Sequence, residues 1–182
     1  MEFIKTHIPD ILICKPKVIL DERGYFYESY KKSVLEDFIG APLNFIQDNE
    51  AKSTKGVLRG LHYQLPPFAQ TKLVRVIQGS VLDVVVDIRR NSATFGQHVA
   101  LEISEENKLQ LFIPKGFAHG YIVLSETAIF AYKVDKYYHK ESERGILYND
   151  KDLNIDWKYP INELLISEKD KVQPSFLKAD MF

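Results

Sequence analysis

The chain is poor in cysteine, in charge imbalance and in long apolar runs, and each shortage closes off a class of protein. A single cysteine, Cys14, leaves no intrachain disulfide to form. Residues 1–15 lack the continuous apolar centre of a secretory leader, so the expected compartment is the reducing cytoplasm. No uninterrupted apolar run approaches the ~20 residues that cross a bilayer as a helix, and no membrane partner is expected. Charge is balanced: 24 Lys+Arg against 25 Asp+Glu give a net charge of -1. Nucleic acid is therefore not expected as a partner either, and any preference for anions has to be local. There is no internal repeat, low-complexity tract or linker-like shift in composition. The reading is one domain over residues 1–182, long enough to bury ~70% of the surface of the unfolded chain.

What is present is a succession of strands. From Phe45 to Tyr138 apolar, β-prone segments alternate with turn signals at Lys55-Gly56, Pro66-Pro67, Gln78-Gly79, Asn91-Ser92 and Pro114-Lys115-Gly116. This cadence predicts an all-β antiparallel sandwich or barrel. Before it, residues 11–20 read as strand broken at Pro16, Asp21 to Gly24 as a turn, and the aromatic run Tyr25 to Tyr30 as a further strand. One short helix is predicted, opened by a Ser33/Glu36 capping box and stopped at Gly40. The tail is loop-like around Asn149-Asp150, Asn154 to Trp157 and Pro160, with a turn or two of helix between Glu163 and Lys171.

Two segments carry the chemistry. Arg59-Gly60-Leu61-His62-Tyr63-Gln64 runs through a proline-bounded loop to Lys72-Leu73-Val74-Arg75, which brings an arginine, a histidine and a lysine close together. Ile113 to Tyr121 holds Pro114-x-Gly116-x-x-His119, a spacing that in cupins delivers a histidine from a strand into the mouth of a small barrel. Strand alternation puts Asp83 and Asp87 on the face of Val81 and Val85, Lys72 on the face of Val74 and Val76, and Phe130 with Tyr132. Arg59 and His62 have opposite parity, so they reach one pocket only if Gly60 marks a bulge or the arginine meets its ligand from another direction.

A metal-binding cupin would carry His-x-His and then a glutamate before a glycine. Here Gln64 stands for the second histidine and Lys72 for the glutamate, with Gly79 following at the same spacing. An ammonium repels a divalent cation and supplies no carboxylate, so no metal and no other cofactor are expected. The same ammonium can stabilise an enolate or hold a phosphate.

Taken in order, Gln47-Asp48-Asn49, RGLHYQ, AQTKLVR, VLDVVVD, PKGFAHGY, Tyr132-Lys133, Tyr137-Tyr138 and Ser167 to Asp170 resemble the dTDP-4-dehydrorhamnose 3,5-epimerases. The resemblance spans about residues 3 to 170. It implies a cupin-type jelly-roll barrel with a few short helices, a homodimer, and cofactor-free conversion of dTDP-4-keto-6-deoxy-D-glucose to dTDP-4-keto-L-rhamnose. Phe112, where many members have tryptophan, and Ala93, where they have proline, are departures that bear on packing only.

The resemblance also implies roles. His62 matches the base and Asp170 its carboxylate partner, although Ser167-x-x-Asp170 is equally an ordinary helix cap, and the two readings are compatible. Lys72 matches the enolate stabiliser and Tyr132 the acid. Arg23 and Arg59 match residues that grip the pyrophosphate, where a planar guanidinium meets two oxygens at once. Tyr138 matches the aromatic that stacks on thymine, and Glu28, Gln47, Asp48, Asn49, His119, Glu143 and Lys169 match further substrate contacts. Each of these could instead be a solvated surface side chain, Glu143 and Lys169 as readily as not. A relative acting at one carbon, a ketoisomerase on the same sugar and a non-catalytic nucleotide-sugar binder are the competing readings. The match of Tyr132, His62 and Asp170 to the epimerase pattern disfavours the ketoisomerase, and a base, an acid and an enolate stabiliser together argue against the binder, which needs none of them.

Overall fold

The computed structural model describes all residues, 1–182. Its strands are β1 (Glu2–Lys5), β2 (Leu12–Lys15), β3 (Ile19–Asp21), β4 (Gly24–Phe26), β5 (Gln47–Thr54), β6 (Val57–Gln64), β7 (Lys72–Gln78), β8 (Ser80–Asp87), β9 (His98–Ser104), β10 (Gln110–Ile113), β11 (Phe117–Val123), β12 (Thr127–Val134), β13 (Glu143–Gly145) and β14 (Leu165–Ile166). Two helices accompany them, α1 (Lys32–Ile39) and α2 (Glu168–Lys171).

One sheet runs β1-β2-β10-β7-β12-β5 and the other β13-β6-β11-β8-β9, with β14 added parallel to β6. All other pairings are antiparallel, as a jelly-roll barrel of the cupin type requires. The core between the sheets is built from the inward residues of alternating strands, among them Val74, Val76, Val81, Val85, Ile103, Leu111, Tyr121 and Phe130. β8 is buried on both faces: Leu82, Val84 and Val86 point the other way and meet Trp157, Leu153 and Phe176 of the C-terminal tail. α1 covers the outer face of the first sheet, laying Leu35 against Leu12, Cys14, Leu73 and Phe112.

Several local expectations are corrected. α1 has Lys31, not Ser33, at its N-cap, with no side-chain cap; Ser33 lies inside the first turn, and the Glu36 carboxylate accepts the Leu43 N–H at 2.6 Å instead of reaching back. Gly40 does end the helix, at φ 68°. The strand expected over Tyr25 to Tyr30 stops at Phe26. The turn of helix expected between Glu163 and Lys171 does form, at Glu168–Lys171, just after β14.

Candidate active site

On β6 and β11, His62 lies opposite His119 and Arg59 opposite Tyr121, so β6 uses one more residue than its partner over that span. The extra residue is a bulge at Gly60. Gly60 has φ +137°, and a Cβ there would stand 2.5 Å from Gly120 Cα, so only glycine lets the strands approach. The bulge resets the alternation and turns Arg59 and His62 toward one cavity. That cavity, about 420 Å³, is lined by Arg59, His62, Lys72, His119, Tyr132, Lys169 and Asp170, with Tyr121, Phe130, Val57 and Leu165 forming much of its apolar wall.

Asp170 arrives from 108 residues away. β14 pairs with the start of β6, Leu165 opposite Val57 and Ile166 opposite Leu58, and delivers α2 against that strand. Ser167 caps α2, its Oγ accepting the Asp170 N–H at 3.2 Å. The Asp170 carboxylate, almost wholly buried, lies 2.6 Å from His62 Nε2. Burial pushes this carboxyl up, but the His62 hydrogen bond and charge, with the Gly60 and Ser167 contacts, hold it below the usual range. An ionised carboxylate only accepts, so Nε2 carries the proton and the other ring nitrogen is left to take one. The cap and the catalytic reading of Asp170 are thus compatible in one geometry.

Lys72 opens β7 on the face of Val74. Burial drives its ammonium down to about 8, with Asp83 and Glu143 opposing the shift. Asp83, fully buried, places both carboxylate oxygens 3.0 Å from His119 Nε2, which fixes that imidazole. Asp87, on the same face, sits at the end of the barrel and is bound to Arg89, Ser92 and Thr94, away from the cavity. Tyr132 lies on β12 opposite Val74; burial raises its phenol, which stays protonated, while Arg59 pulls it the other way. At the rim Glu143 accepts from Tyr138 Oη at 2.9 Å and pairs with Lys169 Nζ at 2.5 Å. Among the described side chains no three of His, Cys, Asp or Glu gather as metal ligands would.

The remaining expected contacts stand outside this cavity. Asn49 pairs with Tyr132 across β5 and β12 and accepts from Gln47 Nε2 at 2.7 Å, at the open edge of the first sheet. Asp48, one residue between them, faces the opposite side and binds Lys133 at 2.8 Å, because neighbours in a strand alternate. Arg23 is exposed in the turn joining β3 to β4 and paired with Asp21; Glu28 pairs with Lys31. Sequence reasoning missed Tyr121 as a lining residue, although it lies two positions beyond His119 on one strand and so on the same face.

Residues 5–178 match the family described as dTDP-4-dehydrorhamnose 3,5-epimerase. The dTDP-4-dehydrorhamnose 3,5-epimerase of Shigella flexneri is 56% identical over 182 residues, covering 100% of this chain and 99% of its own. Among solved structures, the dTDP-4-dehydrorhamnose 3,5-epimerase of Elizabethkingia anophelis superposes with a TM-score of 0.94 at 52% identity, over 97% of both chains. A dTDP-6-deoxy-D-glucose-3,5-epimerase of Legionella pneumophila, crystallised with dTDP-4-keto-L-rhamnose, gives 0.94 at 49% identity, over 98% of this chain and 94% of its own. With Arg59, His62, Lys72, His119, Tyr132 and Asp170 gathered on one cavity, a family match over residues 5–178 and 56% identity to the Shigella flexneri relative over the full length, this chain belongs to the dTDP-4-dehydrorhamnose 3,5-epimerase family.

Proposed function

We infer that this protein is an isomerase that epimerises dTDP-4-keto-6-deoxy-D-glucose at C3 and C5 to give dTDP-4-keto-L-rhamnose, a step of dTDP-L-rhamnose biosynthesis. The observation that carries the reading is the His62–Asp170 pair at 2.6 Å, opening on the cavity that Lys72 and Tyr132 also line. The C3 and C5 protons are acidic because both carbons flank the C4 ketone. His62 takes the proton, the C–H electron pair moves into the carbonyl, and Asp170 stabilises the imidazolium. The oxygen that gains the charge becomes an enolate, which the Lys72 ammonium stabilises in a site partly closed to water. Tyr132 then gives its phenolic proton to the opposite face of the same carbon, and the stereocentre is inverted. Each round leaves an imidazolium and a phenolate, which exchange with solvent before the second carbon reacts. The purified protein, incubated with dTDP-4-keto-6-deoxy-D-glucose and no other reagent, should yield dTDP-4-keto-L-rhamnose by NMR; unchanged sugar would refute the reading.

The nucleotide is held at the mouth, with Arg59 on the pyrophosphate, Tyr138 against thymine, and His119, Glu143 and Lys169 around the sugar and linker. Arg23 and Glu28 complete this set from a second copy of the chain. The β3–β4 hairpin pairs with no other strand and exposes Ile19, Leu20, Tyr25 and Phe26, while one edge of β5, carrying Gln47 and Asn49, is unpaired. Two copies joined through these elements form a homodimer in which the hairpin of one reaches the mouth of the other. A monomeric mass at micromolar concentration would contradict this. The structure has no helix long and apolar enough to cross a membrane; the cytoplasm is the proposed compartment.

A further inference from the structure

Gln64 ends β6 two residues after His62 and is not among the side chains that line the cavity. It is buried, at 4% exposure, and every polar atom of its amide is used on backbone. Nε2 donates to Phe68 O at 2.7 Å and to Tyr137 O at 3.2 Å. Oε1 accepts the His139 N–H at 2.7 Å. The amide therefore holds the peptide groups on both sides of Tyr138, whose own ring stands exposed at the mouth. Other contacts act in the same direction: Gln70 Nε2 donates to Lys136 O at 2.8 Å, and Phe68 stacks on His139 with centroids 3.8 Å apart. Gln64 is also the cross-strand partner of Glu143, the residue that accepts from Tyr138 Oη.

We propose that Gln64, through its grip on Tyr137 O and His139 N–H, is the positioning residue that presents the Tyr138 ring to the nucleobase. The position at which a metal-binding cupin carries its second histidine serves here to hold the nucleotide rather than to bind an ion. The proposal rests on the reading that Tyr138 stacks on the base. An exposed ring on an untethered loop would spend rotational and backbone freedom each time it stacked; one clamped on both flanks has lost that freedom in the free protein. Glutamine fits the task because a single amide offers two donors and an acceptor, matching two carbonyls and one N–H. Glutamate would set an oxygen against two carbonyls, and methionine would fill the space with no bonds.

The test is a double-mutant cycle on dTDP affinity, with KM and kcat for the dTDP-sugar measured beside it. Gln64→Met should weaken dTDP about tenfold, within the ~5- to 150-fold that a stacked base is worth, and raise KM far more than it lowers kcat. Tyr138→Ala should weaken dTDP by at least as much, and adding Gln64→Met to Tyr138→Ala should change little. If Tyr138→Ala leaves dTDP affinity intact, the stacking reading is wrong. If Tyr138→Ala weakens dTDP but Gln64→Met has no effect, or has the same effect with and without the tyrosine, the positioning role is wrong. Should Gln64→Met fail to fold, amide exchange in the unaltered protein decides: the His139 N–H must be protected before dTDP is added, and rapid exchange would overturn the clamp.

Discussion

His62 Nε2 and Asp170 Oδ1 stand 2.6 Å apart across 108 positions of sequence, and a capped turn of helix, not a strand, holds the carboxylate there. The pair sets up two substitutions of different severity. Asp170→Asn keeps the shape and removes the charge that stabilises the imidazolium, so kcat should fall ~10²-fold or more. Ser167→Ala keeps the charge and removes only the cap, with an expected loss of ~0.5–2 kcal/mol in stability and a small change in kcat. Steady-state rates and thermal melts of the two variants separate charge from positioning.

Lys72 should leave its mark on pH dependence. Its ammonium is the form that stabilises an enolate, and burial brings its pKa to about 8, so kcat/KM, which reports the free enzyme, should decline as pH rises through that value. The stability effect has the opposite sense. The folded pKa lies below the ordinary lysine value of 10.5, so the folded state disfavours the charge at every pH below about 8, and that cost fades toward 10.5. Lys72→Met is therefore expected to raise the melting temperature at pH 7, with the gain shrinking above pH 8, while activity is lost.

Tyr132→Phe should separate the two halves of the reaction. The ring and its packing against Phe130 remain but the acid is gone, so the enolate forms against Lys72 and takes its proton back from His62. Solvent deuterium should enter the starting sugar with little inverted product. Inversion at the unaltered rate would make Tyr132 a packing residue.

Gly60→Ala tests the bulge. A methyl at φ +137° and 2.5 Å from Gly120 Cα cannot be accommodated without parting β6 from β11. The expected loss is at least the ~1–3 kcal/mol of backbone strain, with kcat lowered as well because Arg59 and His62 lose their common direction. Denaturant unfolding measures the first and turnover the second.

The bulge was legible in the sequence because Arg59 and His62 have conflicting parity and a glycine lies between them. The Ser167 cap was legible for a similar reason, being a local pattern that tertiary structure reinforced. Where local pattern and tertiary demand conflicted, reading failed: Ser33 and Glu36 have capping-box spacing, yet Glu36 is taken by the Leu43 N–H. Gln64 was noticed only as a missing metal ligand, since the backbone groups it binds lie 4 to 75 residues away and leave no spacing to read.

Deuterium counting in heavy water tests the central claim most directly. The unaltered protein, given dTDP-4-keto-6-deoxy-D-glucose in D₂O, should return dTDP-4-keto-L-rhamnose with one deuterium at C3 and one at C5, and His62→Ala should incorporate neither. Deuterium at a single carbon, at no carbon, or at both without His62 would contradict an enolate mechanism run by this base at both centres.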